Sequence, residues 1–243
     1  EQITVSSLSA PSLTTAYRLD FSGVSGLSEL SLPVLEAAGY IDVGSIADLT
    51  LISLPLLSSF TTLGLAYLGG STEVPLTFDW PSLTSFASVS AYSNPTLVSF
   101  GHGSVTSGGE VSLRDNAALE EVSFPMMESM SILNIRENDS LTSLVFPLLG
   151  QAESFKVWDN PSLPQCLVDQ LLAQIEAADG VESLIQTYGN SGCASANACG
   201  DDGCGGSCGS CKGETLCDGS VCVCPEGEVQ DCEGQCYPME VVD

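Results

Sequence analysis

The residues best suited to chemistry in this chain recur at a fixed interval. Tyr92, Arg114, Arg136 and Trp158 stand 22 residues apart, and a column of acids, Asp115, Glu137 and Asp159, follows one residue behind it. Cations are scarce, 5 against 31 acidic residues for a formal net charge of −26, yet Arg18, Arg114, Arg136 and Lys156 all fall in the periodic part of the chain and only Lys212 lies outside it. A guanidinium is a rigid forked donor matched to carboxylates and sulfates, and an aromatic ring is a platform for stacking. On that chemistry Tyr92, Arg114, Asn134, Arg136, Lys156 and Trp158 form a binding patch for a carboxylated or sulfated glycan or an acidic protein segment. The plainer reading is local: two like charges about 5 Å apart repel by about 0.8 kcal/mol in water, and the acidic column neutralises them. A third reading gives Asp115, Glu137, Asp139 and Asp159 to a Ca²⁺ ion, although their order matches no known calcium loop.

Two further groups invite a catalytic reading. Asp20 and Asp42, also 22 residues apart, are the residue types of a retaining glycosidase pair, which makes a polysaccharide-degrading enzyme a minor alternative. A regular column produces such pairs without any catalytic purpose. His102, the one histidine, falls in a column with Leu32, Leu54, Trp80, Phe124 and Phe146, so it reads as a core or rim residue. That removes the usual base for a Ser or Cys nucleophile. Asn138-Asp-Ser140 has the form of a glycosylation acceptor, but Asn138 belongs to an inward column.

The elements that must hold these groups are legible in the period itself. Anchors at Pro11, Pro33, Pro55, Pro81, Gly103, Pro125 and Pro147 are separated by 22, 22, 26, 22, 22 and 22 residues, the mark of a solenoid. Three positions before each anchor stand Leu8, Leu30, Ile52, Phe78, Phe100, Val122 and Leu144. Six before it the column is Val5, Leu27, Leu49, Leu97, Leu119 and Leu141, broken only by Pro75. Eight and ten after it come pairs such as Leu19/Phe21, Leu63/Leu65 and Leu133/Ile135, whose period of two predicts a strand with one buried face. The alternate positions seven, nine and eleven after the anchor then face outward and carry the four cations. Thirteen after it the column passes from Val24, Ile46 and Leu68 to Asn94, Asn116, Asn138 and Asn160. A buried asparagine at a turn bonds backbone groups of its own and the next coil. One coil cannot hide its own apolar face, so the coils must stack.

Beyond the seven coils, expected over residues 1–163, the period breaks at Pro164. Leu167, Leu171, Leu172 and Ile175 lie at helical spacing, which predicts an amphipathic helix from Cys166 to Ala178 and then a strand from Val181 to Tyr188, a cap over 164–193 that closes the raw end of the stack. The four extra residues between Pro55 and Pro81 predict a surface loop around Leu68–Pro75. The segment 194–243 holds nine of the eleven cysteines and few apolar residues. Such density implies an oxidising compartment and a small disulfide-rich module; a four-thiolate zinc site from Cys208, Cys211, Cys222 and Cys224 is the competing reading. The acidic balance argues against nucleic acid and anionic membrane surfaces as partners, and no apolar run approaches the length of a membrane helix. A removed leader or a trimmed chain both accommodate a start at Glu1.

The pattern L-x2-L-x-F-P-x-L-x5-L-x-I-x2-N, clearest from Leu119 to Asn138, resembles the receptor L-domain and yeast Ecm33-like families, relatives of leucine-rich-repeat proteins. The resemblance covers about 3–193 and implies an all-β, right-handed parallel β-solenoid with a C-terminal capping helix, displayed at a cell surface or in a cell wall, but no particular ligand. Similar bacterial solenoids carry an L-P-x-C…G-N-x-x-C arrangement, which implies a disulfide between Cys166 and Cys193. The run from Cys199 to Cys211 resembles a Cys/Gly module of secreted myxobacterial proteins, and Cys222-Val-Cys-Pro-Glu-Gly227 is similar to the end of EGF-like modules. The expectation is a secreted or surface-displayed, non-enzymatic recognition or adhesion protein without a cofactor, Ca²⁺ apart, that binds through its strand face. The alternative is a self-associating subunit of an extracellular filament or coat.

Overall fold

The computed structural model describes residues 6–70, 73–178 and 180–191, and six short strands beyond them. Each coil contributes a short and a long strand. The short ones are β1 (Ser7–Ser9), β3 (Glu29–Ser31), β5 (Leu51–Ser53), β7 (Thr77–Asp79), β9 (Ser99–Gly101), β11 (Glu121–Ser123) and β13 (Ser143–Val145). The long ones are β2 (Thr15–Ser22), β4 (Ala37–Ile46), β6 (Ser59–Leu68), β8 (Ser85–Tyr92), β10 (Ser107–Arg114), β12 (Ser129–Arg136) and β14 (Gln151–Trp158). The long strands form one all-parallel sheet in chain order, ending on β15 (Val181–Gln186) after the helix α1 (Gln165–Glu176). The short strands form two parallel sheets, β1-β3-β5-β7 and β9-β11-β13, and the break falls where Phe78, Trp80 and Phe100 crowd together, with Phe78 stacked on Trp80 at 4.6 Å. Among the described residues, 6–163 form a parallel β-solenoid of seven coils.

Register follows the period: Leu8 pairs with Leu30, Ile52 with Phe78, Val111 with Leu133. Alternation does the sorting along each long strand. Leu63 and Leu65, Val111 and Leu113, Leu133 and Ile135 are buried at 1% exposure or less, while the residues between them face out. The inward residues make one continuous core, and residues of the first coil such as Leu8, Leu13 and Phe21 are only partly buried against it. Hydroxyl columns tie coil to coil from outside the core. Ser28 donates to the Ser6 carbonyl at 2.9 Å, Thr50 to Ser28 at 3.2 Å, Thr77 to Thr50 at 3.0 Å and Thr142 to Glu120 at 3.3 Å.

At the end of each long strand the chain turns inward through a left-handed residue. Gly23, Ser45, Tyr67, Ser93, Asp115, Glu137 and Asp159 all have φ between 53° and 70°, a region costly for residues with a Cβ. The asparagine that follows stabilises this turn. In the fully buried ladder Asn94, Asn116, Asn138 and Asn160, each Oδ1 accepts the backbone N–H of the rung below, as Asn116 Oδ1 does from Asn94 N at 3.1 Å and Asn138 Oδ1 from Asn116 N at 3.1 Å. Each Nδ2 donates to a carbonyl of the preceding coil, to Ala91 from Asn116 and to Leu113 from Asn138, both at 3.1 Å. The column ties coil to coil as expected, but its inter-coil backbone partners lie in the preceding coil and not the next one, where only the following asparagine side chain is reached; it also runs one rung further than the sequence shows, since Asn190 Oδ1 accepts from Asn160 N at 3.3 Å.

Three other details differ from expectation. The apolar slot assigned to Pro75 is filled by its neighbour Leu76, 3% exposed, because the insertion re-enters the register one residue late. In α1 the fully buried residues are Val168 and Ile175, with Leu171 close behind, whereas Leu167 and Leu172 are only partly covered. The strand closing the sheet stops at Gln186, not Tyr188. The helix lies on the last coil through Gln174, whose Nε2 donates to the Phe146 and Leu149 carbonyls at 3.0 and 2.7 Å. Cys166 in this helix is disulfide-bonded; its expected partner Cys193 lies outside the described residues. In the tail β16 (Gly200–Asp201), β17 (Ser207–Gly209), β18 (Leu216–Asp218), β19 (Val221–Val223), β20 (Glu228–Gln230) and β21 (Cys236–Pro238) form three antiparallel pairs. The readings of the tail as a disulfide module or a zinc site fall largely on residues that are not described.

Candidate functional site

Parallel pairing without a slip carries the periodic residues into contact range. Tyr92 pairs in register with Arg114, Arg114 with Arg136, and Arg136 with Trp158, while Ser112, Asn134 and Lys156 form the adjoining outward row. Neighbouring rungs of a parallel sheet lie about 4.8 Å apart, so the six expected residues share one wall of the solenoid. The aromatic end is layered: the Arg136 guanidinium carbon sits 5.0 Å from the Trp158 ring centroid, and Tyr188 lies 5.4 Å beyond that ring at 32°. Tyr188 extends the row past the residues that periodicity identifies, because it follows β15 on the far side of the helix.

One carboxylate serves both arginines. Glu137 accepts from Arg136 Nη1 at 3.0 Å and lies 3.7 Å from Arg114 Nε. The left-handed backbone of Glu137 places its side chain beside the guanidiniums of its own and the preceding rung. Asp115, also expected to neutralise them, is instead held by the Ser93 hydroxyl at 2.6 Å. Two guanidiniums thus share one carboxylate at ion-pair distance, with the Asp115 carboxylate turned to a neutral hydroxyl. Among the described residues Lys156 has no acidic partner within ion-pair distance. Arg114 remains about half exposed. A depression of about 200 Å³ between Tyr92, Ser90, Ser112 and the two arginines gives this charge a concave setting. Asn134 donates to Ser112 Oγ at 3.3 Å, and its buried Oδ1 has no hydrogen-bond partner. A buried acceptor left without a partner costs stability, and the amide meets the wall only through the nitrogen it gives to Ser112.

The other expected groups behave differently. Asp115, Glu137, Asp139 and Asp159 do not converge: among the described residues no group of three or more carboxylate, His or Cys side chains is placed to hold a metal ion. Asp20 and Asp42 are paired in register as expected, but Arg18 Nη2 lies between them, 3.1 Å from Asp42 Oδ2 and 3.8 Å from Asp20 Oδ2. His102 is half-buried. Its Nδ1 accepts the Ser104 N–H at 3.1 Å, which leaves Nε2 to donate to the Trp80 carbonyl at 2.9 Å. Burial holds its pKa below the usual imidazole value, opposed by the hydrogen bond to Trp80. This neutral, doubly bonded ring is a structural rim residue. Asn138, fully buried, donates through Nδ2 to Leu113, Arg136 and Asn160, so the acceptor motif it heads is inaccessible in the folded chain.

Among the described residues no helix is long and apolar enough to cross a membrane. Comparison of the chain with protein-family models, with curated proteins and with solved structures finds no match.

Proposed function

We propose that this protein acts by recognition: it binds an anionic ligand, a carboxylated or sulfated glycan or an acidic protein segment, through the outer wall of its long-strand sheet. What carries the reading is the in-register row Tyr92, Arg114, Arg136 and Trp158, with one carboxylate shared by two guanidiniums, in a chain of net charge −26. The acidic remainder of the surface repels anions and confines their binding to this row. Arg114 supplies the open forked donor, Arg136 is pre-oriented by Trp158, and Lys156 and Asn134 contribute single contacts. The cysteine-rich tail supports placement in an oxidising compartment, and the repeat pattern supports kinship with receptor L-domains and cell-wall relatives, hence secretion or surface display. Adhesion follows if the ligand is fixed to a cell or matrix. The sharing of Arg18 by Asp20 and Asp42 supports a structural pair over a catalytic one.

The test is a panel of sulfated, carboxylated and neutral glycans with polyglutamate, probed with wild type and the Arg114→Ser/Arg136→Ser double variant. Binding of one anionic class that is lost in the variant and weakens with salt supports the proposal. Equal binding by both proteins contradicts it.

A second reading is a subunit of an extracellular filament or coat, in which the coils of one copy stack on those of another. Electron microscopy and sedimentation of the purified chain separate the two.

A further inference from the structure

The outward columns of the long-strand sheet are occupied by side chains on most rungs, but they empty in the middle coils. Asp42, Gly64 and Ser90 follow one another in one column, and Gly44, Ala66 and Tyr92 in the next. Side chains are therefore missing at Gly44 and Gly64 and reduced to a methyl at Ala66, and the wall sinks into a trough of about 360 Å³. That volume is at the small end of the about 300–1,000 Å³ typical of ligand pockets. Asp42 and Arg18 stand at one end; Tyr67 and Tyr92 stand at the other, one and two rungs beyond Asp42, or about 5 and 10 Å along the stack.

Each end presents groups that the protein does not use internally. Asp42 accepts from Arg18 through Oδ2, while its Oδ1 overhangs Gly64, so that a Cβ at position 64 would lie 2.8 Å from it. Gly64 has an ordinary strand conformation, so its missing side chain leaves this acceptor open to the trough. Tyr67 is the only aromatic residue in the left-handed column, at φ 56°, where the other described coils place glycine, serine or an acid. The turn imposes this conformation on every coil, and what sets this coil apart is the bulk of the side chain carried there, which is costly in that region. The backbone here holds the Tyr67 ring 57% exposed, edge-on to Tyr92 at 5.3 Å.

We propose that this trough is a binding subsite for an uncharged sugar ring. The open Asp42 Oδ1 accepts from ring hydroxyls, the remaining N–H groups of Arg18 donate to them, and the apolar C–H face of the ring lies against Tyr67 and Tyr92. The two carboxylates around one guanidinium give this end a net negative charge, which rejects the anions suited to Arg114 and Arg136. A purely apolar ligand would leave the Asp42 acceptor unpaired. The subsite adjoins the arginine depression through Tyr92, which lines both, but it does not depend on it.

The experiment is saturation-transfer NMR on the full chain with methyl hexosides, maltotriose, cellotriose and N,N′-diacetylchitobiose at millimolar concentration. Wild type, Gly64→Ala, Tyr67→Gly and the Arg114→Ser/Arg136→Ser double variant are compared. The expected result is transfer to at least one saccharide, weakened at least tenfold by Gly64→Ala and by Tyr67→Gly and unchanged in the arginine variant. Tyr67→Gly places the residue best suited to a left-handed conformation, which offsets the lost edge contact with Tyr92, and an unfolding temperature within a few degrees of wild type separates loss of binding from misfolding. The proposal is overturned if no saccharide binds, if binding survives both trough substitutions, or if only cations such as choline or lysine bind. Loss of anion binding in the arginine variant with sugar binding retained separates this subsite from the anionic one.

Discussion

Truncating Asn116 to alanine tests the buried ladder that holds the strand ends, and with them the binding wall, in place. Asn116 is fully buried. Its Oδ1 accepts from Asn94 N at 3.1 Å and Asn94 Nδ2 at 3.0 Å, and its Nδ2 donates to the Ala91 carbonyl at 3.1 Å and Asn138 Oδ1 at 3.3 Å. Truncation strands the Asn94 N–H inside the core and takes a donor from Ala91. A stranded buried group costs about 1–3 kcal/mol, and the vacated volume adds to it, so the expected loss is about 2–5 kcal/mol. Urea unfolding followed by circular dichroism measures it directly, and the corresponding fall in melting temperature is roughly 4–20 °C for a unit of this size. Asn116→Leu separates the two contributions, because Ile46 and Leu68 already fill this column in earlier coils. Leucine restores volume without the hydrogen bonds, so it recovers only part of the loss. If Asn116→Leu equals wild type within about 0.5 kcal/mol, a shift typical of an inconsequential surface substitution, the ladder is mere filling and the reasoning fails.

Three further outcomes follow from the same geometry. Glu137→Gln removes the carboxylate shared by Arg114 and Arg136; calorimetric titration with a sulfated oligosaccharide gives several-fold tighter binding, while stability changes by less than about 1 kcal/mol because all three side chains are partly exposed. His102 is neutral in the folded chain, with a pKa below that of the unfolded chain near 6.5. Between the two values the unfolded state binds more protons, so denaturant stability is complete above that pH and falls as pH drops from 7.5 to 5.5; His102→Phe removes this contribution. Gly103→Pro restores the anchor residue of the other coils at a site whose neighbour His102, not Gly103 itself, donates to the next coil, and it raises stability by about 0.4–1 kcal/mol in the same unfolding assay.

The sequence carried the solenoid because its information is columnar: Leu119, Val122, Met127, Leu133 and Asn138 each repeat a type that only an inward position selects. It carried the arginine row for the same reason, since a period without slips makes equal offsets neighbours. The left-handed column stayed hidden because it mixes glycine, serine, tyrosine and acids, a set united by backbone conformation and not by polarity. Asn190 was obscured because α1 intervenes and lengthens the step to 30 residues. The trough is not legible for a different reason: positions such as Gly44 and Gly64 carry no side-chain chemistry, and their contribution is empty space. The choice of Glu137 over Asp115 as partner of the arginines depended on reach, which a column of acids does not reveal.

Intrinsic fluorescence gives the most direct access to the central claim, because the two tryptophans divide cleanly: Trp80 is 6% exposed in the core, whereas Trp158 lies against Arg136 on the binding wall. Titration with a sulfated or carboxylated oligosaccharide should produce a saturable change that disappears in Trp158→Phe and in Arg114→Ser/Arg136→Ser but persists in Trp80→Phe. An unchanged spectrum despite measured binding, or a change that survives loss of Trp158, would place the ligand elsewhere and contradict recognition through this wall.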